Sequence, residues 1–264
     1  MNTFKVNGIS VTDYEGTGEP LIFIHAYPLC NRMWDEQVNF FKDKYRVITY
    51  DIRGLGYSNE IDSYLFTMED LADDLEDILD HLKLDKVHAC GLSVGGYILL
   101  RAADRMPERF LSLILADTKA DSDDYDGLLG RSAAIKKIRS GGKEEFINAM
   151  LPKLISEKNI ENTELTGKLK EMMGWMDADG MCAVMIAIAT RTNLSYKIKE
   201  FEIPSLVIVG KDDVLTPVIK SFYLKEGMKN STYHLIFDAG HISNMEKPEE
   251  FNLAVNNFLD SSGS

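Results

Sequence analysis

The chain has 264 residues, 45% apolar and 27% charged, the composition of an ordinary globular protein. That length can bury a core without disulfides or a structural metal, which removes the small stapled scaffolds from consideration. A formal net charge of −13 repels phosphate backbones and anionic bilayers, so neither nucleic acid nor a membrane surface is expected as a partner. Cys30, Cys90 and Cys182 show no metal-ligand spacing, and their odd number leaves at least one thiol unpaired; reduced thiols in a cytoplasmic protein are expected. Cys90 lies in an apolar run and is expected in the core. Met1 to Val11 has no basic start followed by a long apolar stretch, so no secretory signal is expected, and no apolar run approaches the length of a membrane span.

In chain order, Leu21–His25 is a short apolar run that ends abruptly, as a strand buried on both faces does. Trp34, Val38 and Phe41 follow at helical spacing, and Tyr45–Tyr50 is a second strand closed by the turn-rich stretch 51–58. Thr67 caps a helix whose apolar stripe is Met68, Leu71, Leu75, Ile78, Leu79 and Leu82. Lys86–Gly91 reads as a strand, Val94–Asp104 as a helix stopped before Pro107, and Phe110–Ala116 as another strand. Alternating strand and helix predicts a mainly parallel sheet with right-handed crossovers. From 118 to 202 the pattern changes to helical stretches at Leu128–Arg139, Lys143–Leu154, Leu165–Trp175 and Gly180–Thr190. Strands return at Ser205–Gly210 and Thr232–Phe237, a final helix runs from Pro248 to Leu259, and Asp260–Ser264 is expected to be a frayed tail.

Gly91-Leu-Ser93-Val-Gly95 sits where a strand runs into a helix. A strained strand-to-helix turn lifts its serine hydroxyl into the open and needs small neighbours, supplied here by Gly91, Gly95 and Gly96. A serine hydroxyl needs a base to take its proton. Of five histidines, His241 is the candidate, because it follows the last strand on a loop at the C-terminal edge, where open α/β sheets place their sites. His81, His88 and His234 fall inside a helix or strands and read as packing residues. The base in turn needs an acid to hold its tautomer. Asp213 is the first choice, Asp212 the second, and Asp117, at the end of another strand, the third. The order Ser, Asp, His fits an α/β sheet carrying a nucleophile elbow. The backbone N–H of Val94 is one candidate donor to a developing oxyanion; Tyr27, in His25-Ala-Tyr-Pro28, is the other, since Pro28 has no N–H.

With these stretches, together with Asp51-Ile-Arg-Gly-Leu-Gly-Tyr-Ser58, Leu115-Ala-Asp-Thr118 and Gly210-Lys-Asp-Asp213, the chain resembles the α/β-hydrolase superfamily over nearly its full length. Within it the chain looks like the cluster of serine carboxylesterases, 3-oxoadipate enol-lactonases and cofactor-free haloperoxidases. The resemblance implies an α/β fold with a mainly parallel eight-stranded sheet flanked by helices, a core formed by 1–117 and 203–264, and a helical cap at 118–202. It implies a Ser93–Asp213–His241 triad, backbone oxyanion donors at Tyr27 and Val94, no cofactor and no metal. The expected partner is a small ester or lactone, handled by a monomer or homodimer. Ala26 departs from the family's usual glycine, which puts the geometry of the oxyanion loop in question. Serine at 93 argues against haloalkane dehalogenases and epoxide hydrolases, which resemble the chain but use a carboxylate nucleophile. Other readings of the same residues are a ligand receptor with little turnover, a C–C hydrolase and a perhydrolase. The block 118–202 also holds Met150, Met172, Met173, Trp175, Met176, Met181 and Met185, read either as the block's own core or as the lining of an adaptable acyl pocket.

Overall fold

The computed structural model describes residues 1–60, 63 and 65–262. Among these, eight strands form one sheet: β1 (Asn2–Val6), β2 (Ile9–Asp13), β3 (Pro20–Ile24), β4 (Arg46–Tyr50), β5 (Val87–Leu92), β6 (Phe110–Ala116), β7 (Ser205–Gly210) and β8 (Ser231–Ile236). Their order across the sheet is β1-β2-β4-β3-β5-β6-β7-β8. Strands β3 to β8 are parallel, and β1 and β2 add an antiparallel edge. The continuous apolar runs of β5 and β7 are buried along their whole length, as a parallel sheet covered on both faces requires.

The hairpin β1–β2 was not among the expected elements. Its signal is nevertheless present: Asn7 and Gly8, both at positive φ (49° and 87°), form a two-residue turn that pairs Val6 with Ile9. The helices are α1 (Asp35–Phe41), α2 (Met68–His81), α3 (Val94–Arg105), α4 (Tyr125–Arg139), α5 (Lys143–Leu154), α6 (Thr163–Trp175), α7 (Ala178–Ala189), α8 (Val218–Gly227), α9 (Ser243–Glu246) and α10 (Pro248–Ser262). Thr67 does open α2, with Asp70 reaching back to the Thr67 N–H at 2.7 Å. Helix α8 escaped the sequence pattern because it buries only Ser221 and Leu224 and leaves Ile219, Phe222 and Tyr223 exposed. The tail expected from Asp260 is instead helical through Ser262, and positions 263 and 264 lie outside the described residues.

Residues 118–202 contain no strand. Helices α4 to α7 pack on one another, α4 touching both α5 and α7. Three of them begin earlier than the periodicity suggested, because a polar side chain caps each: Asp124 accepts from Gly127 N, Asn162 from Leu165 N and Asp177 from Gly180 N. No single helix among the described residues is long and apolar enough to cross a membrane. Strand β3 has β4 on one side and β5 on the other, so the chain reverses its direction of travel across the sheet at this point. Loops leaving β3 and β5 therefore diverge and open a crevice at their C-terminal ends.

Candidate active site

Ser93 lies in that crevice, between β5 and α3, with φ 56° and ψ −112°. A non-glycine residue at such angles is strained, and the surroundings hold it there. Its N–H donates to Ala116 O (3.0 Å), and its carbonyl accepts from Tyr97 N (3.1 Å) and Thr118 Oγ1 (2.9 Å). Gly95 is needed for close approach: a Cβ there would stand 2.2 Å from Ile24 O, so any side chain would push α3 off β3.

His241 Nε2 is 2.8 Å from Ser93 Oγ, and His241 Nδ1 is 2.9 Å from Asp213 Oδ2. With Nδ1 facing a carboxylate, that nitrogen carries the proton and Nε2 presents its lone pair to the serine hydroxyl. Asp213 is locked in place: Oδ1 accepts from the N–H groups of Leu215 and Thr216, and Oδ2 from Thr216 Oγ1 at 2.6 Å. Burial by itself would lower the pKa of His241, but the charge and hydrogen bond of Asp213 outweigh it and the net displacement is upward. Burial would raise Asp213, and the histidine and Thr216 reverse that, holding it below the usual carboxylate value.

The other two acids are placed elsewhere. Asp212 accepts from Ser156 Oγ at 2.6 Å and has no hydrogen bond to His241. Asp117 is fully buried and accepts from Gly210 N and Ser243 Oγ, joining the ends of β6 and β7 to the loop behind His241. Burial, then the neighbouring Asp213 charge, pushes its carboxyl well above the ordinary range. The same loop is clamped from its other side by Glu246, which accepts from Gly240 N and Ser156 N.

Tyr27 and Val94 flank the serine on the loops leaving β3 and β5. Among the described residues neither backbone N–H has an intramolecular acceptor, whereas the preceding Ala26 N–H is occupied by Met33 Sδ at 3.1 Å. Alanine at 26 is accommodated: it is wholly buried and does not take a left-handed φ, so its methyl does not strain the loop. His25 is buried in the same loop, where Nε2 accepts from Ile52 N (2.8 Å) and Nδ1 donates to Ala26 O (2.9 Å). That bonding needs a neutral ring, and burial pushes its pKa down accordingly. The remaining histidines are engaged elsewhere, His81 stacking on Phe4 and His234 facing Glu250. His88 lies 2.8 Å from Ser112 and 3.2 Å from Glu19, but Ser112 has no exposed surface and cannot meet a substrate. All three cysteines are buried and free, and burial raises the Cys30 thiol to about 12.

A cavity of about 110 Å³ opens on Ser93 and His241. Its wall includes Lys119, Asp123, Arg131, Met150 and Ile188 from the stretch between β6 and β7. Of the methionine cluster, only Met150 lines it. Met172, Met173, Met176, Met181 and Met185 are at most 3% exposed and belong to the buried core, Met176 Sδ accepting from Gly56 N in the loop after β4 at 3.3 Å, while Trp175 sits at the surface against Tyr57. The polar part of the wall, with Thr216 and Tyr97, was not foreseen. Arg131 falls on a helix with no distinguishing pattern, and Lys119 could have been noticed only as a charge three residues past the end of β6.

The family model for the alpha/beta hydrolase fold matches residues 19–248. A 3-oxoadipate enol-lactonase from Acinetobacter baylyi is 30% identical over 242 residues, 91% of this chain and 88% of that protein. A thermophilic esterase from Thermogutta terrifontis, solved with malate bound, superposes with a TM-score of 0.94 at 30% identity, covering 100% of both chains. The enol-lactonase of Burkholderia xenovorans follows with a TM-score of 0.89 at 25% identity, covering 98% of this chain and 100% of that one. The chain therefore belongs to the α/β-hydrolase fold family.

Proposed function

We propose that the protein is a serine hydrolase that cleaves small carboxylic esters or lactones through an acyl-enzyme. The observation that carries this reading is the continuous hydrogen-bonded line from Ser93 Oγ through His241 to Asp213, at 2.8 and 2.9 Å. Ser93 Oγ attacks the carbonyl carbon while its proton passes to His241 Nε2. Asp213 stabilises the imidazolium so formed. Negative charge on the former carbonyl oxygen is met by the N–H groups of Tyr27 and Val94, each such donor being worth about 10²–10³ in rate. The C–O bond then breaks and His241 returns the proton to the leaving alkoxide. In a lactone that alcohol stays tethered to the acyl group. Water, deprotonated by His241, attacks the acyl-enzyme and releases the acid.

In this reading residues 118–202 act as a cap that closes the site and sets substrate size. A dry apolar cavity of about 150 Å³ holds one benzene ring. The cavity on Ser93, at about 110 Å³, therefore suits acyl groups of only a few carbons. Ser93→Ala tests the assignment with a panel of p-nitrophenyl esters of increasing chain length and small lactones. Turnover is expected to fall to the residual level left by binding and the oxyanion donors, with the melting curve still cooperative. Retained turnover in folded Ser93→Ala refutes it. Labelling of Ser93 by a fluorophosphonate without turnover of any ester or lactone would favour a ligand receptor instead.

A further inference from the structure

The sheet ends in two edge strands, β1 and β8, and they meet solvent differently. Strand β1 carries Lys5, which bonds Glu60 at 2.5 Å, and a charged side chain on an edge discourages further pairing. Strand β8 has no proline, lysine or bulge, and among the described residues its backbone pairs only with β7. Ser205 N–H donates to Asn230 O and Lys211 N–H to Ile236 O. The even-numbered residues of β8 therefore bond inward, and the odd-numbered ones turn their N–H and C=O groups outward. Positions 230–237 and 251–259 hold no Asp, Glu, Lys or Arg, in a chain where such residues make up 27%.

The second of these runs lies on α10, which flanks β8. Helices α1 and α8 cross the sheet in opposite directions, β3 to β4 and β7 to β8, so right-handed crossovers place them on opposite faces. Helix α10 packs on α1, and both α8 and α10 touch β8, which leaves the edge strand with a helix on either side. Between β8 and α10 runs an open groove of about 590 Å³, lined by Leu206, Thr232, His234, Leu253, Ala254 and Phe258 among others. Its charged groups are His234 and Glu250, which face each other at 3.2 Å. Leu253 on α10, Phe237 just past β8, and Ile219 and Phe222 on α8 are 46–56% exposed.

We propose that this edge is the interface of a homodimer, in which β8 pairs antiparallel with β8 of a second copy about a two-fold axis normal to the sheet. Such an axis keeps each face on its own side, so α10 meets α10, α8 meets α8, and Leu253 of each copy enters the groove of the other. Two features single out a second copy as the occupant. A strand paired antiparallel with itself is self-complementary, the outward N–H and C=O groups of Tyr233 and Leu235 meeting the same groups reversed. Two chains of charge −13 repel wherever carboxylates meet, and the uncharged edge is where they can touch. The size agrees. Six residues of strand span about 20 Å, and a helix of about 10 Å diameter on either face makes the edge about 30 Å thick. Two copies cover on the order of 1,200 Å², which reaches the lower bound for stable specific interfaces.

The test is sedimentation velocity of the full 29.8 kDa chain at concentrations up to about 100 μM, above the micromolar limit of interfaces this size. Wild type is expected to sediment as a dimer. Thr232→Lys and Leu253→Lys, each repeated in both copies by the two-fold, are expected to raise the dissociation constant about a hundredfold or more. Leu129→Lys, at a similarly exposed leucine on α4, should leave it unchanged. In wild type, deuterium uptake over residues 229–237 should slow as concentration rises, because the outward N–H groups become bonded. A wild-type monomer at every concentration overturns the proposal. So does a dimer that both lysine variants keep, or one that Leu129→Lys breaks instead. Should the lysine variants fail to fold, exchange in wild type decides, and uptake over 229–237 that ignores concentration refutes the pairing.

Discussion

Replacing Asp213 by asparagine changes one oxygen to an NH₂ group, and the surrounding hydrogen bonds dictate where that group goes. Oδ1 receives two backbone donors, Leu215 N at 2.8 Å and Thr216 N at 2.9 Å. An amide placed with NH₂ toward them would leave two buried N–H groups unpaired, at about 1–3 kcal/mol each. The amide oxygen therefore stays on that side and the NH₂ faces His241 Nδ1. That nitrogen must then accept, its proton moves to Nε2, and Nε2 can no longer take the proton of Ser93. Loss of the correct tautomer in a Ser-His-Asp arrangement costs about 10⁴ in kcat, or about 5 kcal/mol of transition-state stabilisation at 1.36 kcal/mol per decade. The assay is p-nitrophenyl acetate hydrolysis at pH 8, with the active-site concentration taken from the burst. Asp212→Asn is the control: its partner is Ser156 Oγ, which an amide oxygen can also satisfy, so activity is expected to stay within about threefold of wild type. A loss below tenfold in Asp213→Asn, or a larger loss in Asp212→Asn, would refute this account.

Three further outcomes follow from the same geometry. With chemistry rate-limiting, kcat/KM should rise with pH through one ionisation above histidine's ordinary value of about 6.5, because the base works only when neutral and Asp213 outweighs burial in setting the pKa of His241; a midpoint at or below that value contradicts it. Met150→Ala should enlarge the cavity and move the preferred acyl group to a longer chain, whereas Met173→Ala, at a fully buried position, should cost about 2–5 kcal/mol in a urea melt and leave chain-length preference alone; the reverse pattern would return the methionine cluster to the pocket. Gly180→Ala should destabilise by about 1–3 kcal/mol, since its Cβ would stand 1.9 Å from Gly54 O where α7 meets the loop after β4, and an unchanged melt would disprove that close approach.

The sequence by itself determined the features that depend on neighbours in the chain. A continuous apolar run declared β3 as a strand buried on both faces, apolar stretches between helical ones declared β4 to β7 as further strands, and the glycines around Ser93 declared a turn too tight for other residues. The position of His241 just past the last strand was legible for the same reason: the C-terminal edge of a parallel sheet is implied by strand order alone. Three things waited for the tertiary structure. Asp212 and Asp213 are adjacent, and which of them faces the histidine depends on a turn whose N–H groups at 215 and 216 grip only Asp213. The methionines of 118–202 form a stripe that reads alike whether it meets a substrate or another helix, and the packing of α4 to α7 on one another makes all but Met150 core. Lys119 and Arg131 come together because β6 ends beside the site while α4 folds back toward it. No local periodicity records such a meeting, since a charge is ordinary until the fold sets it on the wall of a cavity.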